Sequence, residues 1–135
     1  FNAEMVICDK HRKRANEIAS MVVIGDVTGN DIVIIDDICD TGGTLVKAAA
    51  LLKEKGAKTV RAMITHPVLS GKAYENIENS VLEELVVCDT IPLMKPSKKI
   101  QVLTVADLFA IAIRNAYENK SITSLFVHSQ LKARS

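Results

Sequence analysis

Short apolar runs recur along the chain at MVIC (5–8), MVVIG (21–25), IVIID (32–36), VRAMIT (60–65), ELVVC (84–88) and IQVL (100–103). Each is bounded by turn-forming residues and most are rich in Val and Ile, the pattern of short strands covered on both faces. Between them the period changes from two to about four. Leu45, Ala48, Ala49 and Leu52 follow the i, i+3, i+4, i+7 stripe of a helix, which Gly56 ends. A shorter helix is predicted over 71–79, with Ser70 as its cap. The clearest helical stripe joins Val105, Leu108, Phe109, Ala112, Ile113 and Ala116, with Thr104 and Asp107 spaced as a capping box and Asn119 as the stop.

Apolar strands alternating with helices predict an α/β fold: a doubly wound, mainly parallel sheet with right-handed crossovers and helices on both faces. DIVII reads as a central strand. Loops are expected at 9–20, 66–70 and 89–99. Ligands of such sheets gather at the carboxyl ends of strands, so these loops are where chemistry is sought.

Composition narrows the picture. With 135 residues, 48% of them apolar, the chain has the size of one domain and the material for a core. Its 17 Lys and Arg stand against 16 Asp and Glu, a net charge of +1, so no global field draws it to nucleic acid or to a membrane. Cys8, Cys39 and Cys88 are odd in number and lack C-x-x-C spacing, which argues against a disulfide framework or structural zinc and for reduced thiols in a cytoplasmic protein. No run approaches the roughly 18 apolar residues of a membrane span, and no signal-peptide pattern opens the chain. The opening FNAEMVIC has no initiator Met and enters a strand almost at once, as part of a longer polypeptide does.

The densest chemistry lies in DIVIIDDICDTGGTLVKAAALL (31–52). Asp36 and Asp37 emerge from the strand, Asp40 follows, and Thr41, Gly42, Gly43 and Thr44 form the turn that starts the next helix. Free N–H groups at a helix start, glycines that permit close approach and two threonine hydroxyls together make a cradle for a monophosphate. The Gly-x-x-x-x-Gly-Lys-Ser/Thr pattern of a nucleotide P-loop is absent. The carboxylates fit a partner with hydroxyl donors attached to that phosphate, or a metal ion bridging to it. A ribose 5-phosphate satisfies both, its 2- and 3-hydroxyls toward Asp36 and Asp37, with Mg²⁺ offsetting their repulsion. Asp-Thr-Gly also occurs in aspartic proteases, and paired acids after a strand occur in Mg²⁺-binding receiver domains; the first needs an all-β setting, and the second has no use for the glycine turn.

VIIDDICDTGGT resembles the ribose-phosphate signature of the type I phosphoribosyltransferase fold. DKHRKRAN (9–16), THPVLSG (65–71) and SITSLF (121–126) resemble, in that order, segments of the ribose-phosphate diphosphokinase (PRPP synthetase) family. That resemblance covers nearly the whole chain and implies residues 1–135 to be the C-terminal half of a two-domain protein. The family transfers the β,γ-diphosphoryl group of ATP to the 1-hydroxyl of ribose 5-phosphate, giving PRPP and AMP, and requires Mg²⁺. Lys10 and Arg12 match its catalytic lysine and the arginine two residues on, whereas Lys13 and Arg14 match nothing assigned. Ser121, Thr123 and Phe126 match residues lining a phosphate or ADP regulatory site, the alternative for SITSLF being an ordinary edge strand.

The resemblance also implies a homo-oligomer, a ring built from dimers. Family residues that hold adenine, and a histidine and an aspartate for Mg²⁺, lie mostly in the other half, so this chain by itself is expected to be inactive. His66 is assigned to the rim of the site. Cys39 fills a variable slot and reads as a packed thiol. Two other readings remain open from the residues: a phosphoribosyltransferase that consumes PRPP, for which no base-binding hood is visible, and a noncatalytic regulatory subunit of the same fold, against which Lys10 and Arg12 speak.

Overall fold

The computed structural model describes residues 4–14 and 17–125. In chain order it holds β1 (Ile7–Arg14), β2 (Glu17–Ile24), β3 (Asp31–Cys39), α1 (Gly43–Glu54), β4 (Thr59–Pro67), α2 (Ala73–Glu78), β5 (Glu84–Cys88), β6 (Ile100–Leu103), α3 (Ala106–Tyr117) and a 3₁₀ turn at Thr123–Leu125. Strands β3, β4, β5 and β6 form a four-stranded sheet in that order, every pair parallel. The α/β class and the parallel sheet read from the sequence are both present.

Among the strands, two features depart from the expectation. Residues 9–14 and 17–20 are not loop, because β1 and β2 pair antiparallel from Ile7 opposite Ile24 to Arg14 opposite Glu17, with register shifts between His11 and Arg12 and between Arg12 and Arg14. The cationic run lacks the apolar alternation that marks a strand, and backbone pairing supplies what the side chains do not announce. In the described sheet, β3 is an edge strand, not a central one. Ile35 is 76% exposed because it points to the sheet face that α1 and α2 leave uncovered, so an apolar run that reads as doubly covered has an open face.

The chain divides into two units, Phe1–Leu103 and Thr104–Ser135. In the first, alternate residues of β4 (Val60, Ala62, Ile64) and β5 (Leu85, Val87) point into one core. They meet the stripe of α1 (Leu45, Ala49, Leu52) and Ala73 and Ile77 of α2, so both crossover helices lie on the same face. Neighbouring parallel strands joined by crossovers of one hand produce that arrangement. Residues of the opposite parity, Val33 and Met63 among them, are exposed. The α1 stripe is the predicted one, and Gly56 ends the helix with φ 92° as predicted.

In the second unit α3 carries the predicted stripe, and Asn119 closes it in the left-handed region with φ 53°. The expected capping box is replaced: Thr104 Oγ1 accepts the Ala106 N–H at 3.2 Å, a local turn that leaves Val105 at the cap position. The described part of SITSLF, residues 121–125, contributes the 3₁₀ turn and no strand. No helix among the described residues is long and apolar enough to cross a membrane.

Ile77 has no exposed surface and joins α2 to the sheet. Ile77→Ala is expected to lower unfolding free energy by about 2–5 kcal/mol, read as a reduced urea midpoint with an unchanged slope.

Candidate active site

The carboxyl end of β3 positions the acids. Strand alternation sends Asp36 to the helix side, where it is half-buried, and Asp37 to the other, where it is exposed. Asp36 Oδ1 also accepts the Asp37 N–H at 3.1 Å, which fixes the first carboxylate against the backbone of the second. Asp36 and Thr44 share a cleft of about 190 Å³ whose inner walls are apolar, among them Val6, Ile34, Leu45 and Leu52. Of the two paired acids, Asp36 is the one the fold brings beside the glycine turn.

The turn itself depends on Gly42, which adopts φ 72°. A Cβ there stands 3.6 Å from the Ala73 carbonyl oxygen and 3.7 Å from Ile77, ordinary contact distances, so the requirement for glycine comes from the left-handed backbone. Helix α1 begins at Gly43, and its first intrahelical bond is from Val46 N–H to Gly42 O at 3.0 Å. The amides of Gly43, Thr44 and Leu45 precede that bond, at the positive end of the helix dipole. Together with the Thr44 hydroxyl they stand where the sequence reading expects a phosphate cradle.

Asp40 is disposed differently from the paired acids. Its carboxylate accepts a short hydrogen bond from Ser70 Oγ, and its carbonyl accepts the Ser70 N–H at 3.0 Å. Ser70 therefore serves the glycine turn and not, as expected, the cap of α2, where Lys72 occupies the cap position without a side-chain bond. Thr41 contributes its carbonyl to Asn76 Nδ2 at 2.9 Å. Neither Ser70 nor Asn76 was legible as a site residue. Ser70 carried a signal of the wrong kind, that of a helix cap, and Asn76 carried none.

Below the turn lies Cys39, buried, with its thiol pushed up to about 11. Burial is the main cause; the charges of Asp36 and Asp40 add to it, and the Gly42 N–H, bonded to the sulfur, works against it. The packed thiol expected from the sequence is what the fold contains. His66 is half-buried at the end of β4, its Nδ1 2.9 Å from Thr90 Oγ1, while that hydroxyl donates to Thr65 O at 2.8 Å. Such a bonded pair ties the loop after β5 to the end of β4.

Lys10 and Arg12 lie on β1, opposite Met21 and Ile18 of β2. In the second unit Ser121 Oγ accepts the Thr123 N–H at 3.1 Å, which starts the 3₁₀ turn. Phe126 lies outside the described residues. No group of three or more His, Cys, Asp or Glu suited to holding a metal ion occurs among the described residues. Asp36, in the cleft, and Asp37, on the other side of the strand, could each give one carboxylate ligand to an ion such as Mg²⁺, which keeps several waters and takes its remaining ligands from substrate phosphate.

The family model for the phosphoribosyl synthetase-associated domain matches residues 5–127. The ribose-phosphate pyrophosphokinase of Wolinella succinogenes is 56% identical over 124 residues, which are 92% of this chain and 40% of that protein. The ribose-phosphate pyrophosphokinase of Campylobacter jejuni gives the same identity, 56%, with the same coverage of 92% and 40%. Among solved structures, phosphoribosylpyrophosphate synthetase from Mycobacterium smegmatis is similar with a TM-score of 0.71 and 39% identity, over 74% of this chain and 34% of that one. The chain spans about 40% of the length of the curated relatives it matches.

The Cys39 thiol generates a pH dependence of defined sign. Its folded value of about 11 lies above the 9.0 ordinary for an unfolded thiol. The protonated form therefore contributes stability that is fully present below about pH 9 and lost as pH rises toward 11. Urea unfolding of wild type and Cys39→Ala across that window should show a steeper loss in wild type; parallel curves would remove the thiol from the account.

Proposed function

This chain belongs to the phosphoribosyl synthetase-associated domain family, and on that premise we propose that it is the ribose 5-phosphate-binding, C-terminal part of a two-domain ribose-phosphate diphosphokinase. The observation that carries the proposal is the joining, at one strand end, of Asp36 and the glycine turn with its open helix amides. The sugar 5-phosphate rests on the amides of Gly43 and Thr44 and on the Thr44 hydroxyl, with Thr41 and Gly42 shaping the turn. The paired acids accept the ribose 2- and 3-hydroxyls. Asp40, already bonded to Ser70, holds the turn and leaves the sugar to Asp36 and Asp37.

In the proposed reaction the ribose 1-hydroxyl oxygen forms a bond to the β-phosphorus of ATP, its proton is lost, and AMP departs with the bridging oxygen. Mg²⁺, when bound, neutralises charge shared between the acids and the phosphates. Lys10 and Arg12 stabilise the charge that spreads over the nonbridging oxygens during transfer, a role for cations held against the transition state more tightly than against bound substrate. The adenine site belongs to the part of the protein outside this chain, a division supported by the 40% share of its relatives that the chain covers. Ser121, Thr123 and Phe126 are proposed to line a regulatory phosphate or ADP site. The whole protein is proposed to be a cytoplasmic homo-oligomer built from dimers.

Isothermal titration with ribose 5-phosphate in Mg²⁺ tests the cradle: the double variant Thr44→Ala with Asp37→Asn should lose binding while its melting temperature holds, and unchanged affinity would sink the assignment. In the full-length protein, Lys10→Ala should lower kcat by at least about 10²-fold with a much smaller effect on the KM for ribose 5-phosphate. A loss confined to KM would make Lys10 a binder of the ground state.

A further inference from the structure

The glycine turn is held from outside by the segment that leads into and forms α2. Ser70 grips Asp40 through both its hydroxyl and its N–H, and Leu69 N–H reaches Cys39 O at 3.1 Å. Asn76, one turn into α2, donates from Nδ2 to Thr41 O at 2.9 Å, a bond between residues 35 positions apart in sequence. The peptide joining Thr41 to Gly42 is thereby fastened at both ends, its carbonyl on Asn76 and its N–H on the Cys39 sulfur.

That peptide is the one whose orientation matters. A turn with a glycine at positive φ differs from its commoner counterpart by a flip of the peptide plane before that glycine. The flip changes ψ of Thr41 and φ of Gly42, and with them the direction in which Gly43 and Thr44 present their amides. The bond from Asn76 favours the orientation found here. An asparagine does so as a neutral donor, adding no charge beside Asp36 and Asp40, where an aspartate of the same shape has no N–H to give.

We infer that Asn76 is a positioning residue for phosphate binding: by holding the Thr41 carbonyl it keeps the 40–44 turn in its anion-accepting form. This deepens the proposed function and rests on it. Asn76 has no contact with the sugar phosphate in this scheme and acts only through Thr41, so its loss weakens ribose 5-phosphate and leaves the ATP side alone.

The test uses the full-length protein with Mg²⁺, comparing wild type with Asn76→Asp, Asn76→Ala and Asn76→Gln. Both variants that lack the donor should weaken ribose 5-phosphate on the order of tenfold, the scale of one hydrogen bond, in titration and in KM. The KM for ATP and kcat at saturation should stay within about twofold, and Asn76→Gln, which keeps the amide on a longer stem, should recover most of the affinity. Melting temperatures taken in parallel identify a variant that fails to fold; if Asn76→Asp does, the comparison of Ala with Gln decides. Wild-type affinity in the donor-free variants, or a Gln variant as weak as Ala, would overturn the inference while the proposed function stands. Absence of ribose 5-phosphate binding in wild type would overturn the reading of the site, and this inference with it.

Discussion

The left-handed backbone at Gly42, with φ 72°, is the constraint from which the rest of the site follows. It lets β3 end at Cys39 and α1 begin at Gly43 within four residues, so that a strand terminus bearing acids and a helix terminus bearing open amides meet. A side chain at this position strains the backbone by about 1–2 kcal/mol, although there is room for a Cβ. The turn is also packed from both sides, on Cys39 beneath and on Ala73 and Ile77 of α2. Its conformation is therefore a property of the parallel sheet and its first two crossovers, not of the glycine-rich sequence alone.

Crowding three carboxylates beside the proposed phosphate cradle is resolved by giving them different tasks. Asp40 is bonded to Ser70 and to the backbone it supports. Asp36 and Asp37 diverge by strand alternation, which separates two like charges and leaves only Asp36 in the cleft with Thr44. Opposing these acids are the helix dipole and the amides of α1, which act at short range and are fixed in advance. Burial of Cys39 delays a fourth negative charge underneath them into strongly alkaline pH, toward about 11.

Much of this was legible in the sequence because local signals and the final fold agree. The i, i+3, i+4, i+7 stripe of α1, the Gly56 stop and the run from Asp31 through two acids to the glycine turn each use a pattern that short-range chemistry dictates. Legibility failed where long-range contacts decide. Asn76 reaches Thr41 over 35 residues and Ser70 reaches Asp40 over 30, and no spacing rule on one chain announces such bonds. The β1–β2 pairing was missed for a related reason: a strand full of Lys and Arg is held by backbone bonds to a partner, and its side chains read as a solvated loop. The uncovered face at β3 was hidden because Val33 and Ile35 suit a covered strand as well as an open one.

The central claim is that the amides opening α1 receive the phosphate of a sugar phosphate whose hydroxyls are read by the acids at the end of β3. Amide resonances followed during titration with ribose 5-phosphate in Mg²⁺ test it most directly. The account predicts that Gly43, Thr44 and Leu45 show the largest saturable shifts, and that ribose without phosphate leaves them unmoved. Saturable binding that shifts other residues while these three amides stay in place would contradict it.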